Sequence, residues 1–134
     1  MDIKLLLDTS AYVAFKRNHQ RVVETIAHAD VIFISAVVIG ELFFGFRRGS
    51  RFENNMQELD GFLEAQAVQM ALVTRVTSDR YSRVLHELKR QGTPIPTNDV
   101  WIAAQTIELG AELITVDQHF SNVPGLPRTV FDED

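Results

Sequence analysis

Residues 94–120 decide the fold and read Pro-Ile-Pro-Thr-Asn-Asp-Val-Trp-Ile-Ala-Ala-Gln-Thr-Ile-Glu-Leu-Gly-Ala-Glu-Leu-Ile-Thr-Val-Asp-Gln-His-Phe. They predict a helix that begins with Asp99 and ends at Gly110, followed by a short apolar strand over residues 113–116. The first turns of this helix are apolar on nearly every side, as is typical of a helix buried in a core. Asp99 and Asp117 thus stand at the ends of elements. Each acid alone also fits a structural role, at a helix start or in a turn.

Short apolar runs alternate with helical patterns through the rest of the chain. The apolar runs suit strands buried in a parallel sheet and cover residues 3–7, 31–34, 68–73 and 128–131. The helical patterns cover residues 9–16, 20–27, 36–46, 52–67 and 77–90. Thr9 or Ser10 is the expected cap of the first helix, and Thr77 or Ser78 is the expected cap of the helix over residues 77–90. The alternation predicts one α/β domain over residues 1–134, a three-layer sandwich on a mainly parallel central sheet.

Composition limits the kinds of site that this domain can hold. The 134 residues include no cysteine, so disulfides, thiol nucleophiles and thiolate metal sites are excluded and a metal must be held by oxygen or histidine. The chain has no apolar run of bilayer length and no signal peptide, which predicts a cytoplasmic protein without membrane contact. A net charge of -5 argues weakly against a general nucleic-acid coat, although acidic enzymes bind RNA through local patches and bound cations.

Glu41 carries the strongest single signal for a functional site. Its neighbours three and four residues away are Val37, Val38, Phe44 and Gly45, so the helix offers it no basic partner. A buried carboxylate costs several kcal/mol unless a counter-charge neutralises it or it takes up a proton. The counter-charge is either a metal ion or a tertiary partner such as an arginine.

Asp8 extends the pattern, because it follows the first predicted strand as Asp117 follows a later one. Sites in parallel α/β sheets form outside the carboxyl ends of the strands, so both acids are expected to face one crevice. With Glu41 and Asp99 they make four carboxylates, none of which has a basic neighbour at pairing distance. These residues predict an all-oxygen pocket for Mg²⁺ or Mn²⁺, which suits phosphate chemistry.

The segments around the acids are Leu6-Leu7-Asp8-Thr9-Ser10, Ile39-Gly40-Glu41-Leu42-Phe43-Phe44-Gly45, Asn98-Asp99-Val100-Trp101-Ile102-Ala103-Ala104 and Thr115-Val116-Asp117-Gln118-His119-Phe120. In order and spacing they resemble the PIN-domain ribonucleases, and they look most like the VapC-type toxins of toxin–antitoxin pairs. The resemblance spans essentially the whole chain. It implies a five-stranded parallel sheet between helices.

The same resemblance implies the activity and the residues that carry it. Asp8, Glu41, Asp99 and Asp117 would be the catalytic, metal-binding acids, and Thr9 or Ser10 would add a hydroxyl. The implied protein is a Mg²⁺- or Mn²⁺-dependent endoribonuclease that cleaves RNA, pairs with a cognate antitoxin and forms a homodimer. The alternative is a non-catalytic or regulatory PIN-like domain that binds RNA or protein.

Other residues give weaker signals. Arg47, Arg48 and Arg51, in a predicted basic loop, could line a path for RNA phosphates or be ordinary solvated surface. His119 could act as a ligand or help to orient a phosphate, but it is expected to cap a turn beside Phe120, because a carboxylate site needs no imidazole. Aromatic residues are abundant over residues 43–62, and they fit either core packing or a partner groove.

Overall fold

The computed structural model describes residues 2–133 and contains a five-stranded sheet. The strands are β1 (Lys4–Leu7), β2 (Val31–Ser35), β3 (Val68–Ala71), β4 (Glu112–Thr115) and β5 (Arg128–Val130). Their order across the sheet is β3-β2-β1-β4-β5, and all neighbouring pairs are parallel. The predicted parallel sheet is confirmed, with no antiparallel pair among the described strands.

Six α-helices in the described residues flank the sheet. They are α1 (Thr9–Lys16), α2 (Gln20–Ala27), α3 (Ala36–Arg48), α4 (Phe52–Glu64), α5 (Arg75–Gln91) and α6 (Thr97–Glu108), with a short 3₁₀ helix at Gln118–Asn122. The α/β prediction and the number of helices are confirmed. Within residues 2–133, no helix combines the length and the apolar character that crossing a bilayer requires.

Three predicted helix starts are corrected by the structure. Asp8, rather than Thr9 or Ser10, caps α1, because its side chain accepts a hydrogen bond from the backbone N–H of Ala11 at 2.8 Å. Helix α5 begins earlier than predicted, and its cap is Thr74 in place of Thr77 or Ser78. Helix α6 begins at Thr97, which places Asp99 in its first turn rather than at its first residue. At α1 a side chain just before the expected start accepts a first-turn amide, whereas α6 has no side-chain cap and its first amides bond the backbone carbonyl of Pro96.

The core lies on both faces of the central strands. Leu5, Leu6 and Leu7 of β1 are at most 1% exposed, and Leu113 and Ile114 of β4 are fully buried. These are the uniformly apolar runs that the sequence assigns to a two-sided sheet. Strand β3 differs because it is an edge strand, and two of its four residues are exposed.

The strand order creates a crevice at the carboxyl ends of the central strands β1 and β4. From β1 the chain moves first to β2 on one side and later returns to β4 on the other, so the connections leave β1 and β4 in opposite directions. Such a switch point is the usual ligand crevice of parallel α/β sheets. Leu7 pairs with Ile114, and the backbone N–H of Asp8 donates to the Ile114 carbonyl at 3.4 Å. The residues that follow β1 and β4 are therefore neighbours at this crevice.

The segment after β4 is fixed to the core by Phe120. This side chain is fully buried and belongs to the 3₁₀ helix directly beside His119. The Phe120 carbonyl also accepts a hydrogen bond from Val123, itself buried, at 3.1 Å. One aromatic side chain thus holds the short segment that carries Asp117 and His119.

We expect Phe120→Ala to lower the free energy of unfolding by about 3–5 kcal/mol, because it removes a fully buried ring and leaves a cavity. The matched control is Phe44→Ala, since Phe44 is 63% exposed and its loss should change stability by less than about 0.5 kcal/mol. Urea unfolding followed by circular dichroism measures both. Equal stability of the two variants would contradict the anchoring role of Phe120.

Candidate metal centre

A cleft of about 610 Å³ opens at the crevice between β1 and β4. Its walls come from the end of β1, the first turns of α1 and α6, one position of α3 and the segment after β4. The lining residues are Asp8, Thr9, Ser10, Glu41, Pro96, Thr97, Asn98, Asp99, Asp117 and His119. All four acids singled out in the sequence therefore face the same space, together with both predicted hydroxyl residues.

Asp8 forms the buried floor of the cleft, with a relative exposure of 4%. Its carboxylate accepts hydrogen bonds from the hydroxyls of Thr115 at 2.6 Å and Ser10 at 2.8 and 2.9 Å, and from the Ala11 N–H. Loss of solvent nevertheless dominates and raises the pKa of Asp8 to about 6, with a smaller contribution from the charge of Asp99. A cation near Asp8 would offset this loss of hydration.

Thr115 is a site residue that the sequence analysis missed. It ends β4 and is fully buried. Its hydroxyl donates a hydrogen bond to the carboxylate of Asp8, which lies 107 residues earlier in the sequence. Its hydroxyl also accepts the backbone N–H of Asp117 at 2.9 Å. The available signal was a polar residue that ends an otherwise apolar strand beside the strand of Asp8.

Glu41 projects from α3 and is partly buried. Its two oxygens accept hydrogen bonds from the Thr9 hydroxyl at 2.5 Å and from the Asn98 amide at 3.3 Å. Neither donor carries a charge, so these contacts orient the carboxylate without neutralising it. Asn98 was quoted in the sequence motif but not proposed as a site residue, and the structure shows that it contacts Glu41.

Asp99, Asp117 and His119 form the tightest group of potential ligands in the described residues. One ligand atom from each lies within 4.8 Å of the other two. The ring of His119 contacts Asp99 Oδ2 through Nε2 and lies 2.6 Å from Asp117 Oδ1 through Nδ1. Desolvation raises the pKa of Asp99, and the charges of Glu41 and Asp117 add to this rise, whereas His119 opposes it.

The expectation that His119 caps a turn is wrong. Asp117 performs that role, since its side chain accepts the His119 backbone N–H at 3.2 Å and caps the 3₁₀ helix. The imidazole is thereby free to point between two carboxylates. Asp8 and Glu41 lie outside this tight group, although each is close enough to Asp99 to interact with it electrostatically.

The residues of the cleft fit a divalent cation. None of the ten described lining residues is a lysine or an arginine, and four of them are acids. Carboxylates that lose hydration without gaining a basic partner are stabilised by a bound ion. Carboxylate oxygens are the ligands that Mg²⁺ and Mn²⁺ prefer.

The three predicted RNA-binding arginines do not line the cleft. Arg47 and Arg48 belong to the last turn of α3 rather than to a loop, because the helix continues to Arg48. Arg47 lies over the ring of Phe52 at 4.7 Å, and Arg48 lies over that of Phe44 at 5.5 Å. Of the three, Arg48 lines an adjacent depression that also contains Glu41 and Asn98.

Comparison with known proteins agrees with this geometry. Residues 5–126 match the family model of the PIN domain. The chain is 30% identical over 104 residues to the ribonuclease VapC2 of Rickettsia felis, covering 77% of this chain and 76% of that protein. It is 26% identical over 114 residues to the ribonuclease VapC1 of Haemophilus influenzae strain R2866, covering 82% and 84%.

A solved structure is similar over nearly the whole chain. The crystal structure of VapBC2 from Rickettsia felis bound to a DNA fragment from the promoter superimposes with a TM-score of 0.84 at 27% identity. The similarity covers 97% of this chain and all of the matched chain. The five-stranded arrangement is thus shared with a solved relative.

Asp8 predicts a specific pH dependence of the metal-free protein. Its pKa is about 6 in the folded chain against an ordinary value of 3.8, so the folded state binds the proton more tightly. The stability that this proton contributes is complete below about pH 4 and is lost as the pH rises through about 6. In excess chelator, we expect the wild type to lose about 2 kcal/mol relative to Asp8→Asn between pH 4 and pH 7.

Urea unfolding at pH 4, 5, 6 and 7 measures this difference. Asp60→Asn, at an exposed position of α4, is the matched control and should follow the wild type at every pH. A difference between wild type and Asp8→Asn that does not change with pH would contradict a raised pKa at Asp8.

Proposed function

The chain belongs to the PIN-domain family and, within it, to the VapC-type ribonucleases, and on this basis we propose that it is a toxin that hydrolyses RNA phosphodiester bonds. The reaction takes place in the acidic cleft between β1 and β4. The observation that carries the proposal is the meeting of four carboxylates at this switch point, with Asp99, Asp117 and His119 offering atoms within 4.8 Å of one another. Relatives named as ribonucleases supply the substrate class.

The proposed metal ligands are Asp8, Glu41, Asp99 and Asp117, and the ion is Mg²⁺ or Mn²⁺. Such an ion polarises a water molecule and neutralises the charge that develops on the phosphodiester. Thr9 and Ser10 orient the carboxylates, because their hydroxyls bond Glu41 and Asp8 respectively. Ser10 also accepts the backbone N–H of Val116 at 3.1 Å, which joins α1 to the segment after β4.

The nucleophile determines which phosphate groups are found at the ends of the cleaved RNA. Water as the nucleophile leaves a 5′ phosphate, whereas attack by the ribose 2′-hydroxyl leaves a cyclic phosphate. Four acids around the proposed ion favour attack by an activated water. We therefore assign the water-dependent route to this protein.

We expect purified protein to cleave single-stranded or loop RNA only when Mg²⁺ or Mn²⁺ is present, and to leave 5′ phosphates. Asp8→Asn and Asp99→Asn should each lower the cleavage rate by at least about 100-fold, because an amide preserves shape but loses the charge that holds the ion. Gel analysis of end-labelled RNA measures the rates, and end-group analysis identifies the products.

Circular dichroism checks that both variants are folded, and Asp60→Asn serves as an exposed control that should cleave like the wild type. Cleavage that continues in excess chelator, or products with cyclic phosphates, would contradict the mechanism. Absence of cleavage under all conditions would favour the non-catalytic interaction domain.

We further propose that the protein binds a cognate antitoxin and forms a homodimer. Solved relatives in VapBC assemblies support the antitoxin. For the dimer, four apolar side chains within seven residues are exposed between the end of edge strand β3 and the first turn of α5. They are Met70 at 52%, Leu72 at 61%, Val73 at 43% and Val76 at 58%. An exposed apolar cluster on an edge strand favours association with a second copy.

We expect Leu72→Asp to convert a dimer into a monomer, because it places a charge within this apolar cluster. Light scattering after size exclusion should give a mass near 15.2 kDa for the variant and twice that value for the wild type. The control is Ile3→Asp, an apolar position that is 48% exposed outside the cluster and should leave the dimer intact. A dimer that persists in Leu72→Asp would place the interface elsewhere.

A further inference from the structure

His119 lies between two carboxylates that the proposed function assigns to the metal ion. Its Nε2 contacts Asp99 Oδ2, and its Nδ1 is 2.6 Å from Asp117 Oδ1. The ring is partly buried, with a side-chain exposure of 29%. Both nitrogens thus face oxygen atoms of acids at hydrogen-bonding distance.

A neutral imidazole cannot donate a hydrogen bond to two carboxylates at once. A neutral ring carries one N–H, so it donates to one carboxylate while its second nitrogen directs a lone pair at the other. A lone pair facing a carboxylate is repulsive unless a cation lies between them. That cation is either a second proton on the ring or a metal ion shared by the nitrogen and the carboxylate.

The local hydrogen bonds indicate which carboxylate is the partner of the ring N–H. Asp117 Oδ1 already accepts the backbone N–H of His119 at 3.2 Å, and Nδ1 approaches the same oxygen. Metal-binding histidines usually donate their other ring N–H to a carboxylate or carbonyl, which fixes the orientation of the ring. Asp117 is in position for that role, which leaves Nε2 beside Asp99.

We propose that His119 supplies a nitrogen ligand to the divalent cation of the cleft through Nε2, and that this ligand makes the centre select Mn²⁺ over Mg²⁺. The inference rests on the proposed function only in that the cleft holds a divalent ion. Mg²⁺ requires near-ideal octahedral geometry and oxygen ligands, whereas imidazole suits transition-metal ions. A site with four acids alone would not make this distinction as strongly.

The anchoring of His119 supports a role that needs a fixed ring. Its chain neighbour Phe120 is fully buried, and the two rings lie 5.0 Å apart. Asp117 holds the backbone of the same turn. The imidazole is therefore oriented before any ion binds, which lowers the entropy that binding must remove.

The test measures ion binding without RNA, at one fixed pH, with the whole chain. Pulsed electron paramagnetic resonance of the wild type loaded with Mn²⁺ should show coupling to a directly bound ¹⁴N, and His119→Gln should lose it. Calorimetric titration should give a Mn²⁺ affinity at least about 10-fold lower for His119→Gln, with the Mg²⁺ affinity changed by less than about 3-fold.

His28→Gln is the matched control, because His28 is exposed, its ring bonds the backbone carbonyl of Glu24, and it is not one of the residues that line the cleft. It should keep both the ¹⁴N coupling and the Mn²⁺ affinity. The ¹⁴N measurement on the wild type does not depend on the folding of any variant.

Mn²⁺ binding without ¹⁴N coupling would overturn the inference and reduce His119 to a group that positions Asp99 and Asp117. An unchanged Mn²⁺ affinity in His119→Gln would do the same. If either result is obtained and the wild type still cleaves RNA with Mn²⁺, the inference alone fails. If the wild type binds neither ion, the metal-dependent function fails with it.

Discussion

The burial of a carboxylate at the carboxyl end of the central strand is the constraint on which the rest of the site depends. Asp8 is 4% exposed and largely dehydrated there, so the surrounding chain supplies three hydrogen-bond donors, one backbone N–H and two hydroxyls. It caps α1 through the Ala11 N–H, and it receives hydroxyls from the first turn of α1 and from the end of β4. The same group thus starts a helix, joins two strands and leaves a desolvated charge for an ion to offset.

The electrostatics of the cleft follow from this arrangement. Asp99 is pushed toward its protonated form by loss of solvent and by neighbouring acids, and His119 is the group that opposes it. Like charges held together without a lysine or an arginine strain the metal-free protein, a common property of sites kept for function rather than for stability. The buried strands around the cleft hold the acids in place, because an interior packed against β1 and β4 resists their separation.

The sequence predicted the parts of the molecule whose signals are local. Uniformly apolar runs identified β1, β2 and β4, and acids at the ends of elements identified Asp8, Asp99 and Asp117 as candidates. Glu41 stood out because its own helix gives it no partner. These inferences need only the periodicity of helices and strands and the cost of burying charge.

The contacts that complete the site could not be predicted in this way. The bond from Thr115 to Asp8 depends on the register of β1 against β4, which no local pattern specifies. The orientation of His119 depends on Asp117 capping the 3₁₀ helix, where the Asp117 side chain accepts the backbone N–H of His119. Strand β3 gave a weak signal because an edge strand is partly solvated and need not be apolar.

The strand order also governs when, during synthesis, the cleft can exist. Asp8 emerges from the ribosome 107 residues before Thr115, its hydrogen-bond partner, and still earlier relative to Asp117 and His119. A nascent chain that ends before β4 lacks one wall of the crevice and the tight group of ligands. For a protein that degrades RNA, this topology delays activity until β4 and the segment after it have been synthesised and have packed beside β1.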